Sequence, residues 1–345
     1  MRPVLSTDSA WEFERVLLSG AFTCAARSST INEEQAPEQQ SSKGAKEKLN
    51  ESFKTYLMLH QWERFELSEC EEIARELDRV LPASFRFHKI ETCTAGEQKH
   101  RIAVFEWAGL PHSYQHGFFA LIPGGEATLG YNREHPFLPN AHQQASWVQE
   151  TQQTGMFTEA LDVFLDKVMT PLRHVRVEPF LLEVLATPLA PAPIFDATLG
   201  RQGGWSRTVT PITAEKTLQR LSREGFRFPT SDEWEYACAA GSRTLFRWGN
   251  MTPPFTIPPL GSQKAAAWDL HLRENAFGLL IARYPYHWEF CAEPGLMRGG
   301  DGGTALHAGA GTFAAWLTLA SAFHRIWDRE DCYDVYLRRA CSLLS

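Results

Sequence analysis

The run FRFPTSDEWEYACAAGSRTLFRWGN, residues 226–250, constrains this chain more than any other stretch. Phe226-Arg227-Phe228 alternates apolar and basic side chains, as the end of a strand does, and Pro229 removes the amide that would prolong it. Thr230-Ser231-Asp232-Glu233 then reads as a capping box. In it the Thr230 hydroxyl and the Glu233 carboxylate satisfy amides that the first turn of a helix leaves free. The helix Glu-Trp-Glu-Tyr-Ala-Cys-Ala-Ala follows, and Gly241 is suited to the left-handed residue that ends it.

With 345 residues and 43% hydrophobic content, the chain can build one large or two ordinary packed domains. A formal charge of −7 and a pI near 6.0 argue against general binding to nucleic acid or to an anionic membrane, which needs a basic face. No apolar run approaches the ~18 residues of a bilayer span. The start, MRPVLSTDSAWEFERVLL, lacks the basic region, apolar block and cleavage site of a secretory signal, so a cytoplasmic protein is expected. Seven scattered cysteines do not suggest a disulfide scaffold, whereas 11 Trp and 24 Gly suit a loop-rich domain packed on aromatic anchors.

Residues 1–82 read as a helical region. A short amphipathic helix over 9–26 precedes a Gln/Glu/Ser-rich mobile linker over 28–48. A helical pattern then runs through Phe53, Leu57 and Trp62. A capping box at Ser68–Glu71 opens another helix, which carries Ile73, Leu77 and Val80 and ends at Pro82. Strand patterns over 85–90 and 100–107 flank a turn at Ala95-Gly96. Phe118–Ile122 meets Pro123-Gly124-Gly125, whose fixed and positive backbone angles predict a tight hairpin back into residues 126–130. Residues 131–170 read as an insertion whose later half is an amphipathic helix with Phe157, Leu161, Phe164, Leu165 and Val168. A strand over 174–180, a Pro/Gly-rich loop over 188–204 and a helix over 213–224 closed by Gly225 complete the approach to the central run.

That run closely resembles the R-L-P-T-E-A-E-W-E-Y-A-x-x-G core of the formylglycine-generating enzyme family, also called sulfatase-modifying factors. Five further segments match in order. Ile122–Gly130 is similar to the opening hairpin I-P-G-G-x-F-x-M-G, and His174–Phe180 to H-x-V-x-V-x-x-F. Asn275-Ala276-Phe277-Gly278-Leu279 with Trp288-Glu289-Phe290-Cys291 is similar to N-x-F-G-L-Y-D-M-x-G-N-V-W-E-W-C. Met297-Arg298-Gly299-Gly300-Asp301 resembles V-x-R-G-G-S-W, and Leu337-Arg338-Arg339-Ala340-Cys341 resembles G-F-R-C-A. The resemblance implies an α+β, C-type-lectin-like fold with little regular secondary structure over residues 83–345, preceded by the helical appendage.

The family's copper chemistry needs two cysteines four residues apart before the final R-C-A, because soft thiolates select Cu(I). The corresponding residues here, 309–324, read GAGTFAAWLTLASAFH and contain none, so the copper site is missing. The family's calcium turn is altered too: Tyr284-Pro285-Tyr286-His287 stands where Gly-Asn would, leaving Glu289 short of a ring of oxygen ligands. No cofactor is expected. In some members the cysteines matched by Cys238 and Cys341 are joined, which implies that these two are neighbours, as thiols or as a disulfide. An iron-using branch carries a His-rich helical domain that Tyr56–Glu66 faintly resembles, but no His-Glu-x-x-His-Gln run follows.

The family's groove implies ligand contacts at Trp316, His324, Arg325, Trp288, Glu289 and Asp301. His324 is suited to act as a base near neutral pH, and Arg325 either to grip a carboxylate or to anchor the fold. His112 and His116 are four apart, which suits a metal only if both face one way; on a loop they are two exposed histidines. Gly299-Gly300-Asp301-Gly302-Gly303 lacks the Lys-Ser/Thr of a phosphate loop, and backbone crowding accounts for it better. The expectation is therefore a divergent, non-copper domain that binds a peptide, small ligand or protein partner. The competing expectation is an iron or copper oxidase with ligands drawn from His112, His116, His287, His307 and His324.

Overall fold

The computed structural model describes residues 51–108, 117–154, 158–188, 214–255, 257, 263–281, 287–300, 312–326 and 335–343. The expected helix over 9–26, the linker, His112, His116, residues 284–286, Asp301 and His307 lie outside the described residues. What is described is α+β, with helices packed on antiparallel sheets.

Three helices open it: α1 (Glu51–Tyr56), α2 (Leu59–Trp62) and α3 (Leu67–Val80). α3 buries Cys70, Ile73, Ala74 and Leu77, the i, i+3, i+4, i+7 stripe of an amphipathic helix. Its capping box lies two residues earlier than expected, with Glu66 at the cap and Glu69 answering it. Starting there places Cys70 on the buried stripe. The Trp62 indole donates to the Arg101 carbonyl at 2.6 Å, tying these helices to the sheet behind them. Residues 46–345 form one compact unit that includes them.

The first sheet runs β1 (Phe85–Ala95), β2 (Gln98–Trp107), β3 (Phe118–Ile122), β6 (Phe180–Glu183) and β12 (Ala340–Ser342), each antiparallel to its neighbour. β1 and β2 form the expected hairpin about residues 96–97. The hairpin expected at Pro123-Gly124-Gly125 does not form. β4 (Gly125–Leu129) leaves β3 and pairs with β5 (Arg173–Val177) in a separate two-stranded ribbon. Gly124 is required for space rather than for a positive angle, since a Cβ there would lie 2.7 Å from Pro179 Cδ and 2.8 Å from the Val177 oxygen.

The second sheet has the order β10 (Arg325–Ile326), β9 (Leu296–Arg298), β8 (Trp288–Phe290), β11 (Val335–Leu337) and β7 (Thr187–Pro188). Only the β8–β11 pair is parallel. Short helices α6 (Ala214–Arg223) and α8 (Gln263–Ala267) link these parts. The central helix α7 (Ser231–Ala239) has the predicted Thr230–Glu233 capping box. Its left-handed end begins at Ala240 (φ 46) and continues at Gly241 (φ 88), the residue expected there. Phe226–Phe228 is not a strand; Arg227 makes a single bridge with Ala340. Asn275 closes the other end of α7, its amide donating to the Ala237 and Cys238 carbonyls while its oxygen accepts from the Phe277 and Leu279 amides.

Residues 131–170 contain two helices where one was expected, α4 (Ala141–Thr154) and α5 (Leu161–Val168), and Phe157 lies outside the described residues. Trp147 packs on Phe164 with ring centroids 5.0 Å apart. The buried Glu150 carboxylate accepts from the Thr312, Phe313 and Ala314 amides at 2.7–3.0 Å, capping α9 (Phe313–Leu317). Residues from this stretch thus pack into the core.

Three buried ion pairs lock the layers: Arg298–Glu235, Arg338–Glu289 and Arg339–Glu183. Replacing Glu289 by Ala strands Arg338 without a counter-charge, and urea unfolding should show a loss of about 3–5 kcal/mol. Glu126→Ala, which removes only an exposed pair with Arg176, should cost less than about 0.5 kcal/mol. Equal effects from the two would refute this ranking.

Candidate functional site

The residues that carry the sequence motifs are mostly used to hold the fold. Glu289 on β8 accepts from Trp234 Nε1 (2.8 Å), Arg338 Nε (2.8 Å) and Arg338 Nη2 (2.7 Å), so both of its oxygens are committed. It is an interior hub, which corrects its assignment to a ligand groove. Arg298 reaches Glu235, Ser231 and two backbone carbonyls. A Cβ at Gly299 would stand 2.5 Å from Trp234 and one at Gly300 2.2 Å from the His287 oxygen, so the glycine run is where backbone meets indole.

Trp316 corrects the groove in a second way. It is fully buried on α9, with its indole N–H donated to the Phe255 carbonyl at 2.7 Å. It is therefore an interior wall.

Of the remaining groove candidates, His324 and Arg325 lie at the β10 edge of the second sheet, and Trp288 is buried on its central strand β8. Arg325 on β10 holds its guanidinium 5.8 Å above the Trp288 ring, and Trp288 stacks on Phe323. His324 is half-buried beside them, its backbone amide bonded to the Val168 carbonyl and its Nδ1 without a partner. Burial, with a smaller push from Arg298, lowers the His324 pKa and keeps the ring a neutral base. Ile326, next along the edge strand, is 65% exposed. His287 lies against Tyr336, with ring centroids 4.5 Å apart.

Cys238 and Cys341 are both buried thiols. The Cys238 thiol contacts Ser321 Oγ at 3.7 Å, and its pKa is raised by burial. Among the described residues one group of three potential metal ligands comes together, Glu91, Cys93 and Glu274, with donor atoms within 4.8 Å. Burial, then the two carboxylates, pushes the Cys93 thiol up to about 12, and Lys89 already pairs with Glu91 at 2.5 Å. A protonated thiol beside an ammonium is a poor cation site.

Sequence reasoning missed a second polar cluster. Arg247 is 2% exposed, and its Nη2 donates to the His271 and Ile281 carbonyls. His271 is fully buried on the short turn Leu270–Leu272, edge-on to Trp316 with centroids 5.1 Å apart. Trp248 stacks under the Arg247 guanidinium at 4.9 Å and lies 6.2 Å from Trp316. The available signal was an arginine between two aromatics in Leu245-Phe246-Arg247-Trp248.

No family model and no curated protein matches the chain. Among the described residues no helix is long and apolar enough to cross a membrane.

Burial, then Arg247, pushes the His271 pKa down to about 4. In the unfolded chain it returns to about 6.5, so between these values the unfolded state holds more proton and stability rises with pH. The contribution is complete above about 6.5 and is lost as pH falls towards 4, on the order of 3 kcal/mol. Urea unfolding between pH 7.5 and 4.5 should show a shallower pH slope for His271→Leu than for the parent. Identical slopes would refute the assignment.

Proposed function

We propose that this chain is a divergent sulfatase-modifying-factor-like domain, with the C-type-lectin-like fold, that binds a peptide or small ligand in the cytoplasm rather than oxidising it. One observation carries the reading. Among the described residues, the buried motif carboxylates Glu235 and Glu289 are taken up by Arg298 and by Trp234 and Arg338, which leaves neither free for a metal. The absence of cysteine from residues 309–324 supports it further. The binding edge is the one formed by His324 and Arg325, with the buried Trp288 beneath Arg325. There a guanidinium held over an indole can grip a carboxylate or backbone carbonyl, and the apolar Ile326 is exposed beside it. A protein or peptide partner suits β10, which ends the second sheet among the described residues and can be extended by an added strand.

The test uses protein purified without chelator and fluorescein-labelled cysteine peptides. Metal analysis should find far less than one equivalent of iron or copper. A peptide that binds should keep its mass after incubation with copper and O2, and Arg325→Ala should weaken its binding about tenfold. Loss of sulfur from the peptide would overturn the reading. So would stoichiometric metal that is lost on replacing two of His112, His116, His287, His307 and His324, since that is the oxidase alternative.

A further inference from the structure

We propose that Arg247 and His271 form a buried site for a small carboxylate, walled by Trp248 and Trp316. The site shares no residue with the β10 edge and stands whether or not that edge binds peptide.

The other fully or nearly fully buried arginines set the comparison. Arg298, Arg338 and Arg339 each hold a carboxylate, from Glu235, Glu289 and Glu183. Arg247 is buried to the same degree, yet among the described residues no carboxylate pairs with it. Two of its donors are directed by Nη2 at the His271 and Ile281 carbonyls, which neutralise hydrogen-bonding need but not charge. Among the described residues its Nη1 has no hydrogen-bond partner. A guanidinium taken out of water without a counter-ion is among the costliest arrangements a protein can hold, and an anion arriving at Nη1 removes that cost.

His271 makes the same demand from the next element. It is fully buried, and neither ring nitrogen has a partner, although a neutral imidazole has one N–H to donate and one lone pair to fill. Trp268, three positions earlier, has an indole N–H that also lacks a partner. Arg247 Nη2 bonds to the His271 carbonyl, so the two residues are held side by side.

The chemistry selects the ligand. Arg247 supplies a single positive charge, and His271 is neutral at physiological pH because burial lowers its pKa. That charge matches a monoanion better than a phosphate dianion. The aromatic walls, with Trp248 stacked on Phe246 at 4.9 Å and Trp316 edge-on to His271, suit a planar carboxylate with an apolar tail. A water molecule would satisfy the hydrogen bonds and leave the charge uncompensated.

The experiment is thermal unfolding of the full chain with formate, acetate and benzoate, set against acetamide, chloride and inorganic phosphate at matched ionic strength. The carboxylates should raise Tm with the logarithm of their concentration, by roughly 4 °C at a hundredfold excess over Kd. Acetamide should do nothing. Arg247→Met should lose the rise while its ligand-free Tm stays equal or increases, because it no longer buries an unpaired charge. In parallel, the His271 ring nitrogen resonances of the unsubstituted protein, identified by comparison with His271→Gln, should shift as acetate is titrated. The proposal fails if the carboxylates leave Tm unchanged, if Arg247→Met keeps the full rise, or if chloride or phosphate acts as strongly. If Arg247→Met does not fold, His271 resonances unmoved by acetate overturn it.

Discussion

The Glu289 carboxylate is the point on which the layers depend. Trp234 brings helix α7 to it and Arg338 brings the C-terminal segment. The same arginine donates through Nη1 to the Glu183 and Val184 carbonyls at the end of β6, so the first sheet joins the second through one side chain. In a domain with many short strands, backbone ladders alone hold little, and long-range side-chain bonds must specify which segment lies where. Buried ion pairs add little net stability over apolar packing, but a mispaired alternative leaves a charge stranded, and that penalty selects one arrangement. Arg298 and Glu235 act alike. Glu235 also accepts from Gly130, Thr170 and Arg173, which fastens the β4–β5 ribbon to α7.

Glu150 extends this logic to residues 131–170. Its carboxylate takes three amides at the start of α9, the helix that carries Trp316. The α4–α5 pair therefore supports the segment that carries Trp316.

Chemical promise and chemical availability part company in this molecule. The motif carboxylates and arginines, which invite a functional role when read along the chain, are saturated by one another. Among the described residues, the groups left with unmet bonding capacity include Arg247, Trp268, His271 and His324. Of these, only His324 was marked by its place in a motif. Arg247 and His271 are 24 positions apart and belong to no recurrent spacing. Their meaning comes from being buried together beside Trp316.

Local chemistry decided some features from the sequence alone. The Thr230–Glu233 box, the β1–β2 hairpin and the stripe of α3 follow from contacts within a few residues, where spacing specifies geometry. The α+β character follows from the same periodicities. Three outcomes were decided only in the tertiary structure. One is the separation of β4 from β3, forced by the approach of Pro179 to Gly124. Another is the entry of Trp316 and Glu289 into the core. The third is the unpaired guanidinium of Arg247. Each depends on which distant groups share a low-dielectric interior. Burial and pairing are properties of that neighbourhood, and the chain order of residues 226–250 does not contain them.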